Sequence, residues 1–270
     1  MPQTHVIVGA GQAGGRAAEA MRAQGFDGRI VLIGEEPHLP YERPPLSKQV
    51  LLGDYEPERT HLNPAEFYET QRIELRLGIR ALAIDREARR VELGNGSAES
   101  YDKLLLTTGS AVRRLPFLGN QLGGVHVLRG IEDSLAIRAA LEPGARIVIV
   151  GGGYIGLEVA AAARSRECEV TVIEVLDSLL ARVMTVEMGE YFARLHRGHG
   201  VELRLGTGVT ALEGQGSIEQ VRLADGTAVA ADAVVIAVGV VPETELAGAA
   251  GLEIGNAIAV DEFGQTSDPA

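Results

Sequence analysis

The sequence predicts an α/β protein built from two parallel, doubly wound sheets in tandem, each with a small antiparallel β insertion. Three observations predict it. Two glycine turns occur, Val8-Gly9-Ala10-Gly11-Gln12-Ala13-Gly14 and Val150-Gly151-Gly152-Gly153-Tyr154-Ile155-Gly156. Downstream of each, the run Ile73-Glu74-Leu75-Arg76-Leu77-Gly78 reappears as Val201-Glu202-Leu203-Arg204-Leu205-Gly206. Short apolar runs alternate with helical stretches throughout, the pattern of strand–helix–strand units.

The elements follow in order. His5 to Val8 is a short apolar strand, Gln12 to Gly25 an alanine-rich helix and Arg29 to Ile33 a second strand. Ala81 to Asp85 and Arg90 to Leu93 read as antiparallel strands, followed by an Asn95-Gly96 turn signal. Leu104 to Leu106 then runs into Thr107-Thr108-Gly109. The second copy repeats the scheme with strands at Arg146–Val150, Val170–Ile173 and Val201–Leu205, a hairpin through Asp225-Gly226, and a strand from Ala233 to Val238 ending at Gly239. The first copy is longer between its turn and its repeat. Most of the excess lies between Glu35 and Ile73, in the stretch holding Tyr41-Glu42-Arg43-Pro44-Pro45-Leu46-Ser47-Lys48. A copy-specific insertion is where a copy-specific job is to be sought.

A glycine turn between strand and helix has a defined chemistry. Gly9 permits the tight turn, Gly11 lets the backbone approach a pyrophosphate, and Gly14 lets the helix pack close to the strand. The helix start offers free N–H groups and a partial positive charge to the phosphates. Gly151, Gly153 and Gly156 repeat the logic. Each turn is followed by an acidic residue at the end of the next strand, Glu35 and Glu174, able to accept the ribose hydroxyls of an adenosine. One such turn is weak evidence; two in one chain predict two dinucleotides, and a protein holding two usually moves electrons between them. Val175 follows Glu174 where a 2′-phosphate-binding arginine often stands, so NADH is preferred to NADPH.

Composition excludes other classes. The 270 residues suit two ordinary domains, and 46% hydrophobic content with 34 glycines suits a globular protein rich in turns. A net charge of −12 argues against nucleic acid or an anionic membrane as partner. The first strand begins too early for a secretory signal ahead of it, and the longest apolar run, Ala233 to Val241, is too short to span a bilayer. The single cysteine, Cys168, excludes an internal disulfide and suits a reduced thiol in the cytoplasm. The six histidines lack metal-ligand spacing; His196 and His199 read as a solvated helix end, so no metal site is expected.

Arg43-Pro44-Pro45-Leu46-Ser47-Lys48, Thr107-Thr108-Gly109 and Gly151-Gly152-Gly153-Tyr154-Ile155-Gly156-Leu157-Glu158 carry a family likeness. On these the chain resembles the FAD-dependent NADH:ferredoxin reductases of oxygenase electron-transfer systems, the putidaredoxin and rubredoxin reductase group, with apoptosis-inducing factor more distant. The resemblance implies two Rossmann-like dinucleotide-binding domains of glutathione-reductase-like FAD/NAD(P) fold. Residues 1–112 would open the FAD domain, 113–239 form the NADH domain, and 240–270 return to the FAD domain.

By resemblance, FAD is held around Gly9, Gly11, Ala13, Gly14, Glu35, Arg43, Lys48, Ala81, Thr108, Gly109 and Arg113. NADH is held around Gly151, Gly153, Tyr154, Ile155, Gly156, Glu174, Arg182 and Gly239, with Tyr154 covering the flavin until nicotinamide displaces it. Lys48 lies near flavin N5 and pairs with Glu158. From the residues alone, Lys48 also reads as a solvated loop lysine and Glu158 as a helix-dipole partner. The implied activity is hydride transfer from NADH to FAD, then single electrons to a ferredoxin or rubredoxin. Thr107 departs mildly from the family's usual alanine. The resemblance breaks off at Ala270, ahead of the family's second FAD motif and its C-terminal interface domain, as in a truncated reductase. Two alternatives follow: a dinucleotide-binding fragment with impaired catalysis, or a related NADH oxidase or nitrite-reductase component. A dithiol reductase needs a redox cysteine beside the flavin, and the stretch from Tyr41 to Lys48 has none.

Overall fold

The structure is a computed structural model and describes residues 3–115 and 119–270. It divides into two units: Met1–Glu42, Thr60–Ala111 and Val241–Ala270 in the first, Arg43–Arg59 and Val112–Val240 in the second.

The first unit is built on a four-stranded parallel sheet in the order Ile73–Arg76, Arg29–Ile33, Thr4–Val8, Lys103–Leu106. The central strands are apolar at successive positions because both faces are covered, as parallel sheets require. Ile7, Ile30 and Leu32 pack with Ala18 of the helix Gln12–Ala23 and with Tyr68. On the other face Val6, Val8, Val31 and Ile33 meet Val91, Leu93 and Tyr101. Val91 and Leu93 belong to the three-stranded antiparallel sheet Ala81–Asp85, Arg90–Leu93, Ala98–Ser100, so the predicted insertion caps the sheet. The Leu104 N–H donates to Ala270 O at 2.9 Å, which lays the final residues along the Lys103–Leu106 strand.

The second unit repeats the plan on five parallel strands, ordered Val201–Leu205, Glu169–Glu174, Arg146–Val150, Ala233–Ile236, Val125–Val127. Val148, Val150, Val234 and Ile236 pack with Leu212, Val221 and Leu223 of its antiparallel layer. The helix Tyr154–Ser165 buries Val159, Ala160 and Ala163, small residues that bring it close to the sheet.

Residues 43–59, the copy-specific insertion, fold with the second unit. A 3-10 turn over Pro44–Ser47 leads into the short helix Gln49–Leu52. Leu46, Val50 and Leu51 are buried. Leu46 O accepts from Ser134 Oγ at 2.6 Å, and Leu52 O accepts from Arg166 at 3.3 Å. Ser134 lies on the helix Ile131–Ala140, whose start is capped by Asp133 accepting from the N–H groups of Arg129 and Gly130.

Cys168 is buried, and burial pushes its thiol pKa up, so it is a packed thiol rather than a reactive one. Among the described residues no helix is long and apolar enough to cross a membrane, and no group of three or more His, Cys, Asp or Glu could hold a metal ion.

Candidate dinucleotide sites and the Lys48–Glu158 pair

In the first unit the turn is tight because it must be. Gly9 has φ +116, and a Cβ there would sit 2.1 Å from Thr107 O. A Cβ on Gly14 would lie 2.0 Å from Gly9 O, so helix and strand touch backbone to backbone. At Gly11 a Cβ would meet nothing within 4 Å. The helix that follows has no side-chain cap and no acidic residue in its first turn, where Ala13 lies, so its N–H groups stand uncompensated beside open space.

The second turn has the same geometry. Gly151 has φ +114 with Ala237 O at 2.4 Å from a Cβ, Gly156 would clash with Gly151 O at 2.0 Å, and Gly153 opens on nothing within 4 Å. Its helix is also uncapped and free of first-turn acid. A cradle open at its middle glycine and closed at the others fits a pyrophosphate in both units.

The two acidic residues are not equivalent. The sequence places both at strand ends, but the first strand stops at Ile33, and Glu35 stands two residues beyond it. Gly9 N–H donates to Ile33 O and Gly151 N–H to Ile173 O, each at 2.8 Å. By that register Glu174 occupies the place of Gly34, and Val175 that of Glu35. The cause is steric. A Cβ on Gly34 would lie 2.5 Å from Ala10 Cβ, so the first copy keeps glycine there and carries its acid one position later. In the second copy the facing residue is Gly152, which leaves room for a side chain.

The consequence is electrostatic. The Glu174 carboxylate accepts from the Gly152 N–H at 2.7 Å and the Leu176 N–H at 2.9 Å, so both oxygens are held. The Glu35 side chain is 65% exposed, with Arg80 at 3.5 Å. Nothing in the sequence singles out Gly152 or Leu176, because they act through backbone amides that any residue carries.

Glu174 lines a cavity of about 560 Å³ in the second unit together with Gly151, Gly153, Tyr154, Ile155, Arg182 and Gly239. Gly156 stands behind it in the helix. Tyr154 is half exposed, and Val175 and Val183 add apolar wall. Arg113, expected near FAD, lines this same cavity, and its N–H donates to Gly239 O at 2.9 Å. Thr207 and Gly208, which the sequence does not point to, complete the lining.

In the first unit Thr108 Oγ1 donates to Glu243 O at 2.8 Å, and Gly109 O accepts the Glu243 N–H at 3.0 Å. Ala81 begins the antiparallel layer.

Lys48 and Glu158 come together in the second unit, Nζ to Oε1 at 2.7 Å. Lys48 is thus not the free loop lysine that its isolated reading allows, and Glu158 lies past the first turn of its helix, which holds no acid, so it is an ion-pair partner rather than a helix-dipole partner. Lys48 Nζ also donates to Pro44 O at 3.3 Å, and Ser47 Oγ donates to Glu158 Oε2 at 2.5 Å. Arg43 donates to Arg129 O at 2.5 Å.

Two parallel α/β units, each with a glycine cradle fitted to a pyrophosphate, define a class: proteins built on two dinucleotide-binding units in one chain. The family described as pyridine nucleotide-disulphide oxidoreductase matches residues 3–270, and the chain belongs to it. Having one cysteine, it carries no disulfide of its own. It is 44% identical over 264 residues to rhodocoxin reductase of Rhodococcus erythropolis, covering 97% of this chain and 62% of that protein. It is 47% identical over 270 residues to the anthranilate 1,2-dioxygenase system ferredoxin–NAD(+) reductase component of Burkholderia cepacia, covering 98% of this chain and 65% of that one. In the solved covalent putidaredoxin reductase–putidaredoxin complex, a chain 39% identical matches with a TM-score of 0.96, over 99% of this chain and 66% of that chain. The chain thus spans about two thirds or slightly less of the length of these relatives.

Proposed function

We propose that this chain binds FAD and NADH and acts as the NADH-dependent reductase of a ferredoxin-type iron–sulfur protein in an oxygenase system. The observation that carries the reading is the pair of uncapped glycine-turn helices, each opening on space that a Cβ would not fill. The likeness to reductase components of oxygenase systems supports the choice of acceptor. FAD takes the glycine cradle of the first unit, and NADH that of the second. The lone buried cysteine supports a cytoplasmic setting.

When bound, the flavin supplies the conversion of a two-electron hydride donor into a source of single electrons. The chain's own residues bind and orient. The amides at the starts of the Gln12–Ala23 and Tyr154–Ser165 helices receive pyrophosphate charge. Glu174, fixed by two amides, accepts the ribose hydroxyls of NADH and repels a 2′-phosphate. Arg182 and Arg113 supply positive charge along the same cavity. Lys48 offers a fixed ammonium, held by Glu158, to the negative charge that accumulates on reduction.

The test is reconstitution. Purified chain incubated with FAD is expected to retain flavin colour through gel filtration, lose it on adding NADH under anaerobic conditions, and then reduce a dioxygenase-type ferredoxin. A preparation that takes up no flavin at any concentration contradicts the proposal.

A further inference from the structure

Ser47 belongs to the Lys48 cluster, and the sequence assigns its side chain no role. It is 6% exposed, a buried hydroxyl that follows the buried Leu46 in the insertion. Its oxygen lies 2.5 Å from Glu158 Oε2 and 3.5 Å from Pro44 O. A serine hydroxyl has one proton to give. With a charged carboxylate a full ångström nearer than the carbonyl, that proton goes to Glu158.

Glu158 is therefore held at both ends. Oε2 takes the Ser47 proton, and Oε1 takes Lys48. A glutamate side chain has three rotatable bonds, and a surface ion pair alone rarely fixes one geometry. Here the lysine and glutamate side chains are 44% and 31% exposed, so water competes for both. The buried hydroxyl does not face that competition. It is itself anchored, because the adjacent Leu46 carbonyl accepts from the buried Ser134 Oγ at 2.6 Å.

We propose that Ser47 is a positioning residue: its hydroxyl locks the Glu158 carboxylate, and through it sets the place of the Lys48 ammonium. This rests on the proposed role of Lys48 beside a bound flavin. Ser47 need not touch the flavin or the nicotinamide.

The experiment has two arms. In the chain without cofactor, the side-chain ammonium signal of Lys48 is followed by NMR and assigned by its loss in Lys48→Gln. It is expected to be visible in the parent and in Ser47→Thr, which keeps the hydroxyl, and broadened by fast exchange with water in Ser47→Ala. In the FAD-loaded chain, Ser47→Ala is expected to slow the limiting rate of flavin reduction by NADH about fivefold, the factor one hydrogen bond of ordinary net worth corresponds to. Half-saturation by NADH should stay unchanged, and Ser47→Thr should restore the rate. In the Glu158→Gln background, removing the hydroxyl should add less than it does in the parent, since the two act through one carboxylate. An unchanged ammonium signal in Ser47→Ala, or losses that simply add, overturns the inference. If the parent takes up no flavin, the functional reading fails while the first arm still decides the role of Ser47.

Discussion

Replacing Glu174 with alanine tests the nucleotide choice most sharply. In the folded chain this carboxylate accepts two backbone N–H groups, from Gly152 at 2.7 Å and Leu176 at 2.9 Å. Each oxygen keeps further acceptor capacity, and the residue lines the cavity. Truncation has three effects. The buried Gly152 amide loses its carboxylate partner, which costs about 1–3 kcal/mol of stability. The ribose hydroxyls of NADH lose a charged acceptor, a loss of about 1.5–3 kcal/mol and so roughly 10- to 100-fold in affinity. Repulsion of a 2′-phosphate disappears as well. At about 4 Å and an effective dielectric near 20 that repulsion is about 4 kcal/mol per unit charge, and we reduce it to about 1 kcal/mol for a partly exposed group. The NADH-to-NADPH affinity ratio should therefore fall by about 100-fold or more, mostly through NADH. Fluorescence titration of each nucleotide into the parent, Glu174→Ala and Glu174→Gln measures it, with urea unfolding run alongside to separate stability from affinity. Glu174→Gln should fall between the two, because it keeps one acceptor and no charge. A ratio unchanged in Glu174→Ala refutes the reasoning.

Three further outcomes are expected. Gly151→Ala should destabilise the second unit by about 2 kcal/mol or more, since φ +114 and a Cβ 2.4 Å from Ala237 O are both unfavourable, whereas Gly153→Ala should keep the urea midpoint and lose NADH affinity; equal stability losses in the two would contradict the cradle. Lys48→Ala should slow flavin reduction but change stability by less than about 1 kcal/mol, because the Lys48–Glu158 pair is partly solvated; an unchanged reduction rate removes its catalytic role. Arg146 and its own backbone N–H hold the Asp232 carboxyl down from its ordinary 3.8 to about 2, so its stabilising effect is present at neutral pH and fades as pH falls through that interval. The stability gap between Asp232→Asn and the parent should accordingly narrow from pH 5 to pH 2 in denaturant titrations, and a gap constant with pH would argue against the pair.

Periodicity and turn chemistry made the repeated scaffold legible. Apolar runs such as Arg146–Val150 and alanine-rich helices such as Gln12–Ala23 need only local information, and the structure places them within a residue or two of the sequence-based bounds. The glycines were legible because φ beyond +110 and Cβ clashes near 2 Å leave few other residues possible. What escaped the sequence depends on packing across the chain. Residues 43–59 follow the first unit in sequence yet fold with the second, because Leu46, Val50 and Leu51 bury there and Ser134 and Arg166 bind their carbonyls. The offset between Glu35 and Glu174 follows from the Ala10–Gly34 contact, which two strands must align to create. The place of Arg113 was invisible for a similar reason: its amide is fixed by Gly239, far along the chain. The Lys48–Glu158 pair was reached only through family likeness, since neither residue announces its partner.

The central claim is that one chain holds two dinucleotides at once, and the most direct measurement is binding stoichiometry. Equilibrium dialysis with FAD and the non-reducing NAD+ together should load a molecule of each per chain, and Gly153→Val should abolish NAD+ while leaving FAD in place. A single nucleotide per chain, with each displacing the other, would contradict the account.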